Sequence, residues 1–259
     1  MPEILLIAAI GLGVGILVGL TGVGGGALLV PILVVAVRVS PIVAVGTGTL
    51  FVAATKIGAA WQYHRQDRVD LRLVRRLALG SIPGALLGVT CLALLRSDLG
   101  DSVNGILKIM IGALLIATPT IAIVKSYLER TGKKSLRDRL PPYINAKNGT
   151  IIVGFIGGCL VGMTSMGSGS VIMTLLLLFY SKPTATLVGS DLAHSVILGA
   201  VAGMGHFALG TIDFRLLAAL LLGSIPGAWL AAKLAPLVDG VWLRRFLFCV
   251  LVAAGVSMF

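Results

Sequence analysis

The sequence predicts an all-α integral membrane protein, with about eight hydrophobic segments arranged in two homologous halves. Three observations carry that expectation. Of 259 residues, 57% are hydrophobic and only 12% charged, and the mean hydropathy of +1.04 lies outside what a water-soluble globule of this size tolerates. Apolar stretches at 4–37, 41–63, 77–95, 103–124, 149–180, 184–209, 214–235 and 241–259 each approach or exceed the ~20 residues that cross a hydrocarbon core. Finally, the chain repeats itself. At an offset of 143 residues Gly80-Ser81-Ile82-Pro83-Gly84-Ala85 falls on Gly223-Ser224-Ile225-Pro226-Gly227-Ala228, and Asp70 falls on Asp213, Gly46 on Gly189, Gly19 on Gly162 and Thr21 on Thr164.

The expected organisation is a first repeat over 1–124, a basic extramembrane linker over 125–148 marked by Pro141-Pro142, and a second repeat over 149–259. Duplicated halves of this kind are frequent in secondary transporters. The 34 glycines show no Gly-X-Y period and suit close helix packing instead, Gly11, Gly15 and Gly19 at four-residue spacing being the plainest case. Cys91, Cys159 and Cys249 are isolated in apolar runs without metal or redox spacing. The amino terminus lacks the basic flank of a cleaved signal peptide, so its first segment is expected to stay in the mature protein.

A net charge of +11, from 21 Lys and Arg against 10 Asp and Glu, would suggest a nucleic-acid partner in a soluble protein. Placement argues for topology instead. The basic residues concentrate in two loops, Arg65, Arg68, Arg72, Arg75 and Arg76 in the first and Lys125, Arg130, Lys133, Lys134, Arg137, Arg139 and Lys147 in the second. No nucleic acid, metal or cofactor is therefore expected. The expected partners are a lipid bilayer, a small anion and a coupling proton.

Residues 4–37 as one helix would run about 50 Å, too long for a simple span. The glycine-rich run Thr21-Gly22-Val23-Gly24-Gly25-Gly26 should break it, as Thr164-Ser165-Met166-Gly167-Ser168-Gly169-Ser170 should break the second repeat. Non-helical backbone at membrane depth is tolerated where protein covers it or where it lines a cavity. Both breaks are thus expected at the centre. If the broken segments re-enter rather than cross, Lys182, Lys233, Arg244 and Arg245 join the basic loops, and only Arg38, Arg96 and Arg215 stand opposite. Full crossing would leave Lys182, Lys233, Arg244 and Arg245 opposite the loops, a poorer fit to the positive-inside rule. Re-entry also inverts the two halves. It predicts a multi-pass inner-membrane protein with loops 65–76 and 125–147 cytoplasmic and both termini outside.

The break followed by a valine-proline pair (Gly24-Gly25-Gly26-Ala27-Leu28-Leu29-Val30-Pro31), then Pro41 and Ala44-Val45-Gly46-Thr47, resembles the sulfite exporter TauE/SafE family over nearly the whole chain. That resemblance implies an ion-coupled transporter of sulfite, sulfonates or related sulfur oxyanions. Gly46-Thr47-Gly48-Thr49 carries glycine where members often have serine, and the second break carries Ser165, Met166 and Ser168 in place of glycines.

An anion site is expected on physical grounds as well. Helices that restart after a break offer free amides and the positive end of the helix dipole. The candidate substrate residues are Thr21, Gly22, Gly24, Gly25, Gly26, Gly46, Thr47 and Thr49 in the first repeat, and Thr164, Ser165, Gly167, Ser168, Gly169, Gly189 and Ser190 in the second, with Lys56 as the countercharge. Small residues at these places also serve packing alone. Asp191 is the acid lying well inside an apolar run, three residues from His194 and on the same helical face. Counting ~1.5 Å per residue, Lys56 and Asp191 share a depth if the halves are inverted. They are expected to form a buried pair, with Asp191 and His194 taking the coupling proton; a purely structural ion pair or snorkelling is the alternative. His64 and His206, at segment ends, are expected to anchor at the interface. Ser81 and Ser224 lie near mid-span, facing either a cavity or neighbouring helices.

The rival functions are a passive anion channel, a membrane subunit dependent on a partner and, remotely, an intramembrane serine hydrolase built on Ser165 or Ser168 with His194 or His206. The hydrolase fares badly, because Ser168 corresponds to Gly25 in the first repeat and no acid follows at a useful spacing. No catalytic residue is expected.

Overall fold

The computed structural model describes residues 2–21, 25–130, 147–169, 171–180, 182–234 and 240–259, and the regular elements among them are all helical. The first half contains α1 (Pro2–Thr21), α2 (Gly25–Val35), α3 (Pro41–Arg65), α4 (Leu71–Leu99) and α5 (Val103–Arg130). The second contains α6 (Lys147–Thr164), α7 (Val171–Phe179), α8 (Thr184–Ala208), α9 (Phe214–Leu234) and α10 (Gly240–Val256). Each long first stretch is thus two helices, as its glycine cluster predicts. Pro41–Arg65, Thr184–Ala208, Phe214–Ala231 and the stretch Leu71–Ile121 are long and apolar enough to cross a membrane. Large apolar side chains such as Leu79, Leu86, Leu222 and Trp229 point outward, where lipid would cover them. Of the expected linker, 125–130 continue α5 and 147–148 open α6, while 131–146 lie outside the described residues.

The repeat persists in local detail. Asp70 caps α4 by accepting from the Arg72 and Leu73 amides, and Asp213 caps α9 by accepting from Arg215 and Leu216. The Asp70 amide donates to Ser190 Oγ at 2.9 Å, and the Asp213 amide to Thr47 Oγ1 at 3.0 Å, so each cap is tied to the opposite repeat.

The first helix of each repeat is exchanged between the halves. α1 lies along α9 and α6 along α4. Gly11, Gly15 and Gly19 face Leu220, Ser224 and Ala228, and Gly154, Gly158 and Gly162 face Leu77, Ser81 and Ala85. These glycines let backbones touch: a methyl group at Gly15 would stand 2.6 Å from Ser224 Cα, and one at Gly158 would stand 2.7 Å from Ser81 Cα. The duplicated Gly-Ser-Ile-Pro-Gly-Ala sequence is the surface on which the partner repeat's first helix lies.

These registers fix directions. α1 and α9 run parallel, and α3 runs parallel to α9, since Thr47 meets Asp213 and Thr55 meets Ser224. α2 runs against α3, with Gly25 beside Phe51 and Val52 and Gly48 beside Val30. α1 and α2 are therefore a hairpin that turns back, rather than a segment running from end to end of the bundle. The equivalent helices α3 and α8 pack antiparallel, Gly203 against Leu50 and Gly189 against Tyr63. One end of the bundle joins Ile42 to Asn104, Arg96 to Leu209 and Thr47 to Asp213. The other end joins Asp70 to Lys182 and Thr150 to Tyr180. Lys182 thus stands beside the first basic loop.

Candidate functional site

At the centre α3 and α8 bring charge together. Lys56 is fully buried and stands 4.0 Å from Asp191 Oδ2. Its ammonium donates to Ser195 Oγ at 2.9 Å. The antiparallel register that sets Gly203 beside Leu50 and Gly199 beside Ala53 puts the Lys56 backbone level with the residues just after Ser195, so the expected pair forms not by equal depth but because the long lysine side chain reaches back toward Asp191. One turn along, His194 Nε2 and Ser81 Oγ share a 2.7 Å hydrogen bond, and Thr55 Oγ1 and Ser224 Oγ share one of 3.1 Å. The two mid-span serines are thus both engaged by opposing helices.

The cluster is incompletely satisfied. Among the described residues, Asp191 Oδ1, His194 Nδ1 and Ser165 Oγ are buried without a hydrogen-bond partner. An unpaired buried polar atom costs about 1–3 kcal/mol, so three in one neighbourhood mark either a binding site or stored strain. The ion pair is also held apart, since charge-assisted N–H···O bonds are normally about 2.7–2.9 Å.

The second break lies against this cluster. α6 ends at Thr164, and residues 165–169 are non-helical and buried. Ser165 sits at φ 58°, Gly167 at 139° and Gly169 at 87°, which is why two of the three are glycine. The Gly169 amide lies beside the Asp191 carboxylate. The two breaks also meet: Gly26, the second residue of α2, abuts Ser165 so closely that a methyl group there would overlap its carbonyl oxygen.

The remaining candidates divide. Gly25, Gly26, Ser165, Ser168 and Gly169 are buried at or beside the breaks. Gly46 and Gly189 abut the Thr211 and Arg68 carbonyls of the opposite repeat. The hydroxyls of Thr49, Thr164 and Ser190 donate to Val45, Leu160 and Thr186 carbonyls, and Thr47 accepts from Asp213. Thr21 ends α1; Gly22 and Gly24 lie outside the described residues. His206 departs from expectation. It is buried, with Nε2 on the Gly162 carbonyl at 2.9 Å and Nδ1 3.1 Å from Thr211 Oγ1, because α8 ends in a tight turn that folds Thr211 back onto it. His64 is exposed, as an interfacial residue should be. Among the described residues no hydrogen bond joins His194 or His206 to Ser165 or Ser168. Sequence reasoning passed over Ser195 and Thr55, whose signal was only their position one residue from His194 and Lys56.

The sequence profile described as "Sulfite exporter TauE/SafE" matches residues 7–258. The chain is 35% identical to the "Probable membrane transporter protein YjnA" of Bacillus subtilis (strain 168) over 97% of this chain and 98% of that protein. It is 22% identical to the "Probable membrane transporter protein YdhB" of the same organism, over 94% and 95% respectively. A "Probable membrane transporter protein" of Haemophilus influenzae (strain ATCC 51907 / DSM 11121 / KW20 / Rd) is 26% identical over 86% of this chain and 80% of its own. No solved structure matches the chain. With a family model matching residues 7–258 and a relative 35% identical over 97% of its length, the chain belongs to the sulfite exporter TauE/SafE family of membrane transporters.

Proposed function

We propose that the chain is a proton-coupled secondary transporter of a small sulfur-containing oxyanion such as sulfite or an organosulfonate. The observation that carries this reading is the buried Lys56–Asp191 pair, separated by 4.0 Å beside a broken helix, with Asp191 Oδ1 and His194 Nδ1 open. A charge at membrane depth is costly and is kept for use. Lys56 offsets the charge of an anion on the permeation path, and Asp191 with His194 takes the proton that travels with it. Two restarting helices supply amide donors at the same level.

The antiparallel packing of the equivalent helices α3 and α8 supports inverted halves that rock about a central site to alternate access. The meeting of Lys182 with Asp70, next to the arginine loop, supports that end as the cytoplasmic face of an inner-membrane protein, with both termini at the other face. Reconstituted protein should accumulate sulfite against its gradient when an inward pH gradient is imposed, and a protonophore should abolish the accumulation. Equilibration without accumulation would favour a passive channel.

A further inference from the structure

The outward side of α4 is built in two unlike parts. At 3.6 residues per turn Arg72, Arg75, Arg76, Leu79, Leu86 and Leu87 fall on one stripe of the helix. Arg76 is partly exposed and the other five are exposed. The arginines occupy the first turns, next to the Asp70 cap, and the leucines continue along the same stripe. Leu79 to Leu87 covers about 12 Å, close to one leaflet of a hydrocarbon core about 30 Å thick. Ser81, which meets His194, is buried on the opposite side of the same helix.

The two repeats separate what the fold demands from what is particular to α4. At the 143-residue offset Leu79, Leu86 and Leu87 correspond to Leu222, Trp229 and Leu230 of α9, which are exposed as well. The apolar part thus recurs, as it should on any helix that faces lipid. The basic part does not. Arg72 corresponds to Arg215, but Arg75 and Arg76 correspond to Ala218 and Ala219. Among the described residues no carboxylate pairs with any of the three arginines, and Asp70, the acid nearest to them in sequence, is held by Lys182. The positive-inside rule accounts for the side of the membrane on which the arginines stand, but not for three cations heading a single apolar track.

We propose that this stripe binds one anionic phospholipid, with its phosphate between Arg72, Arg75 and Arg76 and an acyl chain along Leu79, Leu86 and Leu87. Guanidinium groups meet phosphate oxygens through paired N–H donors, and anionic headgroups concentrate basic side chains at the cytoplasmic surface. A lipid held there braces the outer side of the helix whose inner side engages His194. The site does not depend on the identity of the transported anion, so it stands or falls separately from the sulfur-oxyanion reading.

Thermal unfolding of the purified protein in detergent tests it, with dioleoylphosphatidylglycerol, dioleoylphosphatidylcholine or glycerol 3-phosphate added and no sulfite present. Phosphatidylglycerol should raise the melting temperature of the parent by several degrees. Phosphatidylcholine, whose headgroup has no net charge, and glycerol 3-phosphate, which has no chain, should not. Combining Arg72→Gln, Arg75→Gln and Arg76→Gln should weaken phosphatidylglycerol about hundredfold, while Arg215→Gln, on the α9 stripe, should keep the parent's response. Arg75→Gln alone, with about a fivefold loss, carries the test should the triple variant lose its cooperative unfolding. Equal responses to the two lipids, or an undiminished response to phosphatidylglycerol in a folded arginine variant, would overturn the site. A response to glycerol 3-phosphate equal to that of the lipid would assign the arginines to a soluble phosphate and overturn the acyl-chain track.

Discussion

A single methyl group on the α6–α4 seam should reach the central site. In Gly158→Ala the new Cβ would stand 2.7 Å from Ser81 Cα and overlap the Ser81 carbonyl, whereas unbonded carbons rest at about 3.5–4.0 Å. The helices must separate by about 1 Å along a contact lined by Gly154, Gly158 and Gly162, and overpacking of this kind costs about 1–3 kcal/mol. Gly13→Ala is the control, because a methyl group there meets nothing within 4 Å and gains up to about 1 kcal/mol of helix propensity. The two variants should therefore differ by about 1–4 kcal/mol in opposite directions from the parent. For a chain of this length that is several degrees in melting temperature. Ser81 is also the partner of His194 at 2.7 Å, so Gly158→Ala should alter the pH dependence of transport while Gly13→Ala leaves it alone. Thermal unfolding of the purified proteins in detergent reads the first effect. Equal melting temperatures would refute the exchanged backbone contact between α6 and α4.

Three further outcomes follow from particular contacts. Lys56→Met strands a buried carboxylate and should cost about 3–5 kcal/mol, and adding Asp191→Asn should recover part of that loss; strictly additive effects in chemical unfolding would deny that the two side chains interact. At Asp70 partial burial pushes the carboxyl pKa up, but Lys182 and the Leu73 and Arg72 amides outweigh it and hold the pKa below the usual value. That stabilisation is present above the unfolded pKa near 3.9 and is lost as pH falls through the folded value. Asp70→Asn keeps a capping side chain and removes only the charge, so it should cost at most about 1 kcal/mol at neutral pH and nothing in strong acid; an equal cost at both extremes would contradict the ion pair. In a ligand screen, sulfite, thiosulfate, sulfoacetate or taurine should raise the melting temperature of the parent protein, and a response confined to simple carboxylates would argue against a sulfur oxyanion.

Much of the architecture was readable because it rests on local rules. The 143-residue offset brought out α3 and α8 with matching ends, and the glycine clusters marked where α1 and α6 stop. Rise per residue brought Lys56 close enough to Asp191 for the lysine side chain to span the remaining offset along the helices. The exchange of α1 and α6 between halves was not readable, since four-residue glycine spacing says that a helix packs closely but not on which neighbour. Gly46 and Gly189 show the limit from the other direction: close approach to a carbonyl of another loop and close approach to a ligand demand the same absence of Cβ. His206 was misplaced because its burial depends on the turn that returns Thr211, a tertiary event.

The most direct measurement is sulfite uptake into proteoliposomes across a range of external pH, comparing the parent with Asp191→Asn at matched amounts of folded, reconstituted protein. If Asp191 carries the coupling proton beside Lys56, the parent concentrates sulfite under an inward pH gradient, and the variant exchanges it without concentration and without pH dependence. Accumulation by Asp191→Asn with the parent's pH profile would contradict the account.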